Sequence, residues 1–469
     1  MRQFIWQVIL SASRQGSGST RAAAELALFK SIRKITEYGI DKKGALMIAG
    51  PGEKLIARGF SVYFTTGVIN KAIPFLLLPL LTRYLSPHEY GMVAIYQALL
   101  AFFTPVVGMS ANSHIVRNFY GEARERLAEV IFHVLIAISI MAIVVLAIVA
   151  VCMPLFGGMF DIPGRWLLVM PLVAFMQTVN KCNLTVYRCE HRSGMYGALE
   201  ILRTLVNVVV SVGLVVGLGA GWEGRAAGIV TAAILFGGLG FVLMMRSGQI
   251  HCTFSLSQLR NIYRISIPMI FYGLGGVIIA VMDRIFIDRM LGKEAVGIYS
   301  VGYAFGALTL IITNAFNSSW APWMQEQLSD VTEKKKHLIV RFTYAYKFAV
   351  LLLAIVVTVA SHILLPFMTA EAYHGGVQVV LWVALGYSIR GIYSMYFGYV
   401  IHVGKTRVFA WVMFLAGAIN ALANYLLIPV NGIEGAAQAT IIAWVFSYLA
   451  VWWYASRIYP MPWTRLRRS

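Results

Sequence analysis

The fold class of this chain is indicated by an apolar stretch at residues 128–153, which is AEVIFHVLIAISIMAIVVLAIVAVCM. The stretch contains no lysine or arginine, and its one acidic residue is Glu129, near the start. A helix rises ~1.5 Å per residue, so a run of this length crosses the ~30 Å hydrocarbon layer of a bilayer. The run is continuous and lacks the alternation of apolar and polar residues that marks a strand of a membrane barrel. It therefore predicts a transmembrane helix.

Apolar runs of the same kind recur along the sequence and predict about twelve transmembrane helices. They lie at residues 60–82, 90–112, 128–153, 166–186, 198–218, 226–245, 265–283, 297–319, 342–365, 377–400, 409–428 and 435–455. The composition agrees, because 59% of the residues are hydrophobic and only 13% are charged. A soluble domain carries about 25% charged residues. We therefore expect an all-α integral membrane protein.

The distribution of basic residues orients these helices. The net charge is +19, and most of the 39 lysines and arginines fall in alternate connecting segments, beginning with the N-terminal one. The other connecting segments hold Arg83, Arg165, Arg225, Arg284, Arg289 and Lys293. Basic segments face the cytoplasm, so we expect a bacterial inner-membrane protein with both termini in the cytoplasm. This topology signal accounts for the positive charge and excludes nucleic acid as a partner.

Three short motifs occur twice in the same order and indicate an internal duplication. In pairs, they are residues 83–91 (RYLSPHEYG) and 289–297 (RMLGKEAVG), 112–113 and 317–318 (NS), and 221–224 (GWEG) and 432–435 (GIEG). Each unit contains six predicted helices, an even number, so both units point the same way through the membrane. Parallel repeats of this kind occur in transporters that bind their substrate between the two halves.

The duplication predicts two six-helix bundles, residues 58–250 and residues 251–469, around a central cavity. Residues 1–57 precede the first predicted span and are too polar and too long for a secretory signal peptide. Two interpretations of this segment stand. It is a cytoplasmic N-terminal extension, or it results from a translation start placed too early, with Met47 as the candidate true start.

The segments that follow the first and seventh predicted helices resemble the corresponding segments of a known family. Residues 283–292 (DRIFIDRMLG) and 296–303 (VGIYSVGY) are similar to the seventh-to-eighth helix region of bacterial polysaccharide flippases. Residues 79–87 (PLLTRYLSP), with Tyr90 and Gly91, are similar to their first-helix exit. These are the Wzx-type O-antigen and exopolysaccharide transporters, in the superfamily that also holds lipid II flippases and multidrug (MATE) exporters. The resemblance covers about residues 58–456.

The resemblance implies movement of undecaprenyl-diphosphate-linked oligosaccharides from the cytoplasmic to the periplasmic leaflet. The partners that it implies are the lipid-linked oligosaccharide, membrane lipids, a polysaccharide polymerase and a chain-length regulator. The sequence leaves open whether a coupling ion, a proton or sodium, or only consumption of the substrate drives the cycle. We expect no cofactor and no metal centre, since none of the four cysteines has a CxxC spacing.

Charged residues inside the predicted spans are the candidate binding site, because charge in a bilayer is costly and is retained for function. The basic ones are Lys71, Lys181, Arg203, Lys347 and Arg390. We expect such cations to attract an anionic diphosphate or acidic sugar while the lipid tail stays in the bilayer. Arg390 has Tyr387 and Tyr393 three residues to either side, so one helix face offers a cation and aromatic rings that stack on sugars.

Some of these charges have a simpler explanation. Lys181 and Lys347 lie near span ends, where long side chains reach the interface. Arg203 lies three residues after Glu200, which predicts a local ion pair. Four charged residues at the predicted periplasmic exit form either a gate or an ion-pair cluster that fixes the loop: Asp283, Arg284, Asp288 and Arg289.

Two other functions compete with the flippase. A membrane polymerase or glycosyltransferase shares this hydropathy, but the predicted periplasmic loops are short and no Walker A, HExxH or nucleophile-elbow motif occurs. We therefore expect a protein that is not an enzyme and has no catalytic residues. A multidrug antiporter of the same superfamily would carry acidic residues for cationic drugs, whereas the charge embedded here is mostly basic.

Overall fold

The computed structural model describes residues 65–463, except residues 68, 71, 122–123, 155–159, 330 and 406. Lys71 and the N-terminal segment with Met47 lie outside the described residues. Backbone contacts group Val62–Ser469 into one compact unit. The described part of this unit contains helices and connecting turns and no strand.

Eleven helices in the described part of the chain are long and apolar enough to cross a membrane. They are α1 (Thr65–Tyr84), α2 (Pro87–Gly108), α3 (Arg124–Val151), α4 (Gly164–Cys189), α5 (Ser193–Gly217), α6 (Gly221–Arg246), α7 (Leu256–Leu291), α8 (Lys293–Ser329), α9 (Glu333–Met368), α10 (Glu371–His402) and a last helix, Arg407–Ile458. A shorter helix, Ala111–Gly121, joins α2 to α3.

The last helix crosses twice. Its 52 residues are interrupted at Gly432, where φ is 58° and ψ is −138°. A continuous helix of that length would measure ~78 Å, more than twice the hydrocarbon thickness. Gly432 divides it into α11 (407–431) and α12 (433–458). The described chain thus makes twelve crossings, and the prediction of an all-α protein with about twelve transmembrane helices is confirmed.

Several helices extend beyond the apolar runs that predicted them. Both α7 and α9 are 36 residues long, or ~54 Å. Hydropathy detects only the stretch inside the bilayer, whereas caps set the ends. Ser255 caps the start of α7 by accepting a hydrogen bond from the Gln258 amide, and Thr332 does the same for α9 from Lys335. Gly292, with φ at 86°, ends α7.

The duplicated motifs occupy equivalent places in the two halves, α1–α6 and α7–α12. Gly221 begins α6 and Gly432 directly precedes α12, and both have positive φ, which glycine adopts without strain. The glutamate two residues further on contacts the fourth helix of its own half in each case. Glu223 accepts a 2.7 Å hydrogen bond from Arg165 of α4, and Glu434 accepts a 2.9 Å bond from an indole N–H of α10.

The halves meet where α2 and α8 begin, which we call the closed end. Gly91 of α2 lies so near the carbonyl oxygen of Lys293 that a Cβ atom there would overlap it. Reciprocally, a Cβ on Gly297 of α8 would overlap the carbonyl oxygen of Pro87. Tyr373 of α10 adds a 2.8 Å hydrogen bond to the carbonyl of Leu85. The duplicated glycines thus allow a close backbone approach between the halves.

Candidate functional site

Three adjoining cavities lie inside the bundle. The first-half cavity, about 840 Å³, lies among α2, α4, α5 and α6. The second-half cavity, about 380 Å³, lies among α7, α8, α10, α11 and α12. The central cavity, about 570 Å³, lies between the halves and is lined by α1, α2, α6, α7 and α8. Gln97 and Arg225 line both the first-half and central cavities, and Ala280 and Tyr303 line both the second-half and central ones.

The Asn-Ser motif marks the same place in each half. Asn112 lines the first-half cavity and Asn317 lines the second-half cavity. The Oδ1 atom of Asn317 is buried without a hydrogen-bond partner among the described residues. A buried carbonyl oxygen of this kind is an available acceptor for a ligand hydroxyl.

Lys181 and Arg203 both line the first-half cavity. The predicted local ion pair is present, with Arg203 Nη2 3.1 Å from Glu200 Oε2. Glu200 also accepts a 3.2 Å hydrogen bond from Asn70, which ties α1 to α5. The ion pair does not use all the hydrogen-bond donors of Arg203, because its Nε atom is buried without a partner in the described part of the chain. Arg203 therefore combines a local pair with a donor left for a ligand.

Arg225 is a cavity cation that the sequence did not reveal. It lies one turn inside α6, is only 7% exposed, and lines two of the cavities. Its Nη1 atom donates to Asn207 Oδ1 and, at 2.7 Å, to Ser211 Oγ. It forms no ion pair with any described acid. Because Arg225 immediately precedes the predicted span 226–245, the sequence assigns it to a connecting segment.

Two arginines and two tyrosines connect the central and second-half cavities. The guanidinium carbon of Arg284 lies 4.3 Å from the centre of the Tyr303 ring. The hydroxyls of Tyr303 and Tyr387 are hydrogen-bonded to each other. Arg390 lies 6.0 Å from the Tyr387 ring and 5.3 Å from the ring of Trp444. Arg284 thus lies in the central cavity, deeper than the exit at which it was predicted.

Asp283 also lies deeper than predicted. Its side chain is fully buried in the second half and accepts hydrogen bonds from Tyr299 (2.7 Å), Thr440 (2.8 Å) and Asn424 (3.0 Å). It forms no ion pair within the described residues. No group of three or more histidine, cysteine or acidic side chains that would hold a metal occurs in the described part of the chain.

The rest of the predicted exit cluster joins the halves at the closed end. Lys293 Nζ lies 2.7 Å from Asp161, in the loop before α4, and 3.4 Å from Asp288 of α7. The hydrogen bond and charge of Lys293 lower the pKa of Asp161. Arg289 lies over the ring of Phe160 at 5.7 Å. Lys293 of the second half therefore pairs both with Asp161 of the first half and with Asp288 of the second half.

The remaining predicted residues divide between a cavity and a separate cluster. Tyr393 and Tyr387 both line the second-half cavity with Arg390. Lys347 lines none of the three cavities. Its Nζ donates a 3.0 Å hydrogen bond to the Tyr448 hydroxyl and lies within 5.1–5.4 Å of three tyrosine ring centres. The structure accounts for this charge by hydrogen bonding and cation–π contact.

Twelve crossing helices in two like halves, around a cationic interior, define a two-lobed membrane fold of the transporter class. The structure is similar to a lipid II flippase, MurJ, in an inward closed conformation. The TM-score is 0.66 with 13% sequence identity, over 85% of this chain and 87% of that one. It is also similar to an inward-facing multidrug MATE transporter, with a TM-score of 0.65 and 13% identity over 84% and 94% of the two chains.

Sequence comparison identifies the family. The family described as "Polysaccharide biosynthesis protein" matches residues 56–328, more than half of the chain, and the chain belongs to it. The chain is 22% identical to "Lsg locus putative protein 1" of Haemophilus influenzae, over 74% of this chain and 84% of that protein. It is 22% identical to a probable low-salt glycan biosynthesis flippase of Haloferax volcanii, over 83% and 81%. The family resemblance predicted from the helix exits is confirmed.

Proposed function

We propose that this protein moves undecaprenyl-diphosphate-linked oligosaccharides from the cytoplasmic to the periplasmic leaflet, for the synthesis of a surface polysaccharide such as O-antigen or exopolysaccharide. The observation that carries the proposal is the row of cations along adjoining cavities inside a membrane bundle. They are Lys181, Arg188, Arg203, Arg225, Arg284 and Arg390.

The chemistry of the cargo explains why these cations are needed. A diphosphate cannot cross hydrocarbon alone, because an ion loses its hydration there. Guanidinium and ammonium groups in a sheltered cavity replace that hydration and act more strongly than in bulk water. The central cavity is bordered by α1, whose residues Asn70, Pro74 and Phe75 line it. We propose that the polyprenyl tail stays in the bilayer beside α1 while the headgroup enters.

We infer the sidedness of this state from the predicted topology. The positive-inside rule predicts that the closed end faces the periplasm. The first-half cavity reaches Ser110, Arg188 and Tyr196, which lie within a few residues of the opposite helix ends. We propose that the structure is the state that loads from the cytoplasm. Separation of α2 from α8, with closure around the opposite ends, then exposes the headgroup to the periplasm.

We propose Asp283 as the binding site of the coupling ion, a proton or sodium. It is a buried carboxylate with no counter-charge among the described residues, so a bound proton or cation would neutralise it. Thr440 donates a hydrogen bond to Asp283 and also lines the second-half cavity. This one side chain would therefore contact both the ion-binding carboxylate and a headgroup in the cavity. Asp283→Asn should abolish acceleration of transport by an inward gradient of the coupling ion. Acceleration equal to that of the wild type in this variant would exclude Asp283 as the site.

The experiment for the flippase itself is reconstitution. Liposomes containing the purified chain and an undecaprenyl-diphosphate oligosaccharide are probed with a membrane-impermeant lectin, which reports the transferred fraction. Arg225→Gln and Arg203→Gln should lower the transfer rate at least tenfold without changing the amount of inserted protein. Arg457→Gln, which removes an arginine that lies over Trp453 outside the cavities, is the control. No transfer by the wild-type chain, or efflux of cationic drugs in place of lipid transfer, would refute the flippase. Wild-type transfer in both cavity variants would exclude these two arginines from the binding site.

A further inference from the structure

Arg390 is a cation without a described counter-charge. Its guanidinium lines the second-half cavity and lies beside the rings of Trp444 and Tyr387. It donates no hydrogen bond and forms no ion pair within the part of the chain that the structure describes. Aromatic contact holds the guanidinium in place while leaving its N–H groups for a ligand.

We propose that the second-half cavity is a subsite for a carboxylate-bearing sugar of the transported oligosaccharide, with Arg390 binding the carboxylate. This inference rests on the proposed flippase function and narrows its substrate to acidic glycans. A planar guanidinium matches a carboxylate through two parallel N–H donors.

The cavity walls suit a pyranose ring. Tyr393, Phe397 and Trp444 supply aromatic surfaces against which the apolar face of a sugar can stack. Asn314 and Asn317 lie on the wall contributed by α8, and the unpartnered Oδ1 of Asn317 supplies an acceptor for a sugar hydroxyl. Aromatic stacking, one buried acceptor and one cation together define a site for a sugar with a single negative charge.

The diphosphate fits the first-half cavity better. A diphosphate carries at least two negative charges. That larger cavity is lined by Lys181, Arg188, Arg203 and Arg225 and by one acid, Glu200, which pairs with Arg203, so three cations remain in excess. The second-half cavity is lined by one cation, Arg390, among its described residues. The two cavities adjoin the central one, so an extended headgroup can place its diphosphate in the first half and a sugar in the second.

Binding to the purified full-length chain in nanodiscs tests this assignment. The probes are a glucuronic acid trisaccharide, the matching glucose trisaccharide and inorganic pyrophosphate, each titrated by calorimetry. The wild-type chain should bind the acidic trisaccharide at least tenfold more tightly than the neutral one. Arg390→Gln should remove that difference, a loss of about 10- to 100-fold for one charge-assisted contact. Arg390→Lys should retain part of it, and Arg457→Gln should leave it unchanged.

The outcomes separate the subsite from the flippase. Equal affinity for the acidic and neutral trisaccharides, or no saturable binding of the acidic one, overturns the subsite. Competition between pyrophosphate and the acidic trisaccharide, with Arg390→Gln weakening both, also overturns it and makes the cavity a phosphate site. Transfer of a lipid-linked oligosaccharide by the wild-type chain in the liposome assay would support the flippase whichever binding result is obtained.

Discussion

Alanine at Gly91 or Gly297 should push the closed end apart. Both glycines lie against a backbone carbonyl of the opposite half, so the added methyl group meets atoms that cannot rotate away. The clash exists only while α2 and α8 are in contact. Each substitution therefore raises the free energy of the closed-end state and leaves a state with separated helices unaffected.

The expected size of the effect follows from the cost of overpacking. Inserting one methyl group into a packed contact costs about 1–3 kcal/mol. A difference of that size between two conformations changes their ratio by about 5- to 150-fold. The two substitutions act on the same helix separation, so the double variant should shift the ratio by less than the product of the single effects.

Spin labels placed on the two halves measure this shift. Leu218, which is 75% exposed, and Glu371, also exposed, both lie toward the closed end. They can carry labels once the four native cysteines are replaced. Double electron–electron resonance in nanodiscs should show one short label-to-label distance in the cysteine-free parent protein. In Gly91→Ala and Gly297→Ala, a second population at a longer distance should appear. Gly238→Ala is the matched control, because no atom lies within 4 Å of its added Cβ.

An unchanged distance distribution in both variants would refute the reasoning, provided that the protein is folded and inserted. It would mean that α2 and α8 relax around a methyl group without separating the halves. A longer distance in the Gly238→Ala control would equally remove the link to the α2–α8 contact.

Three further predictions concern charged side chains. Lys293→Met should lengthen the same spin-label distance more than Asp161→Asn, because it leaves the buried Asp288 unpaired, whereas Asp161 is 75% exposed. Burial and a nearby arginine lower the pKa of His114, so this histidine contributes stability that is lost as pH falls below its ordinary value of 6.5. Melting between pH 8 and 5 should therefore depend less on pH in His114→Gln. Lys347→Met should lower the free energy of unfolding by about 1–2 kcal/mol, yet keep wild-type lipid transfer per inserted protein.

Local rules predicted much of this molecule. Glu200 and Arg203 pair because three residues separate neighbours on a helix face. Tyr387 and Tyr393 reach the same cavity as Arg390 for the same reason. This spacing does not predict whether the helix face points toward the interior. Lys347 is also a cation within a predicted span, yet it lines none of the three cavities.

The sequence alone predicts the number of crossings and the duplication, because both depend on the composition of contiguous segments about one bilayer thick; the orientation from the positive-inside rule stays a prediction. Which charges face the interior depends on the tertiary structure. Arg225 lies at the start of a helix and looks like a loop charge until the packing of α5 against α6 brings Asn207 and Ser211 to it. Asp283 receives its partners from α8, α11 and α12. The rotation of each helix about its axis sets these contacts, and that rotation is fixed by all its neighbours together.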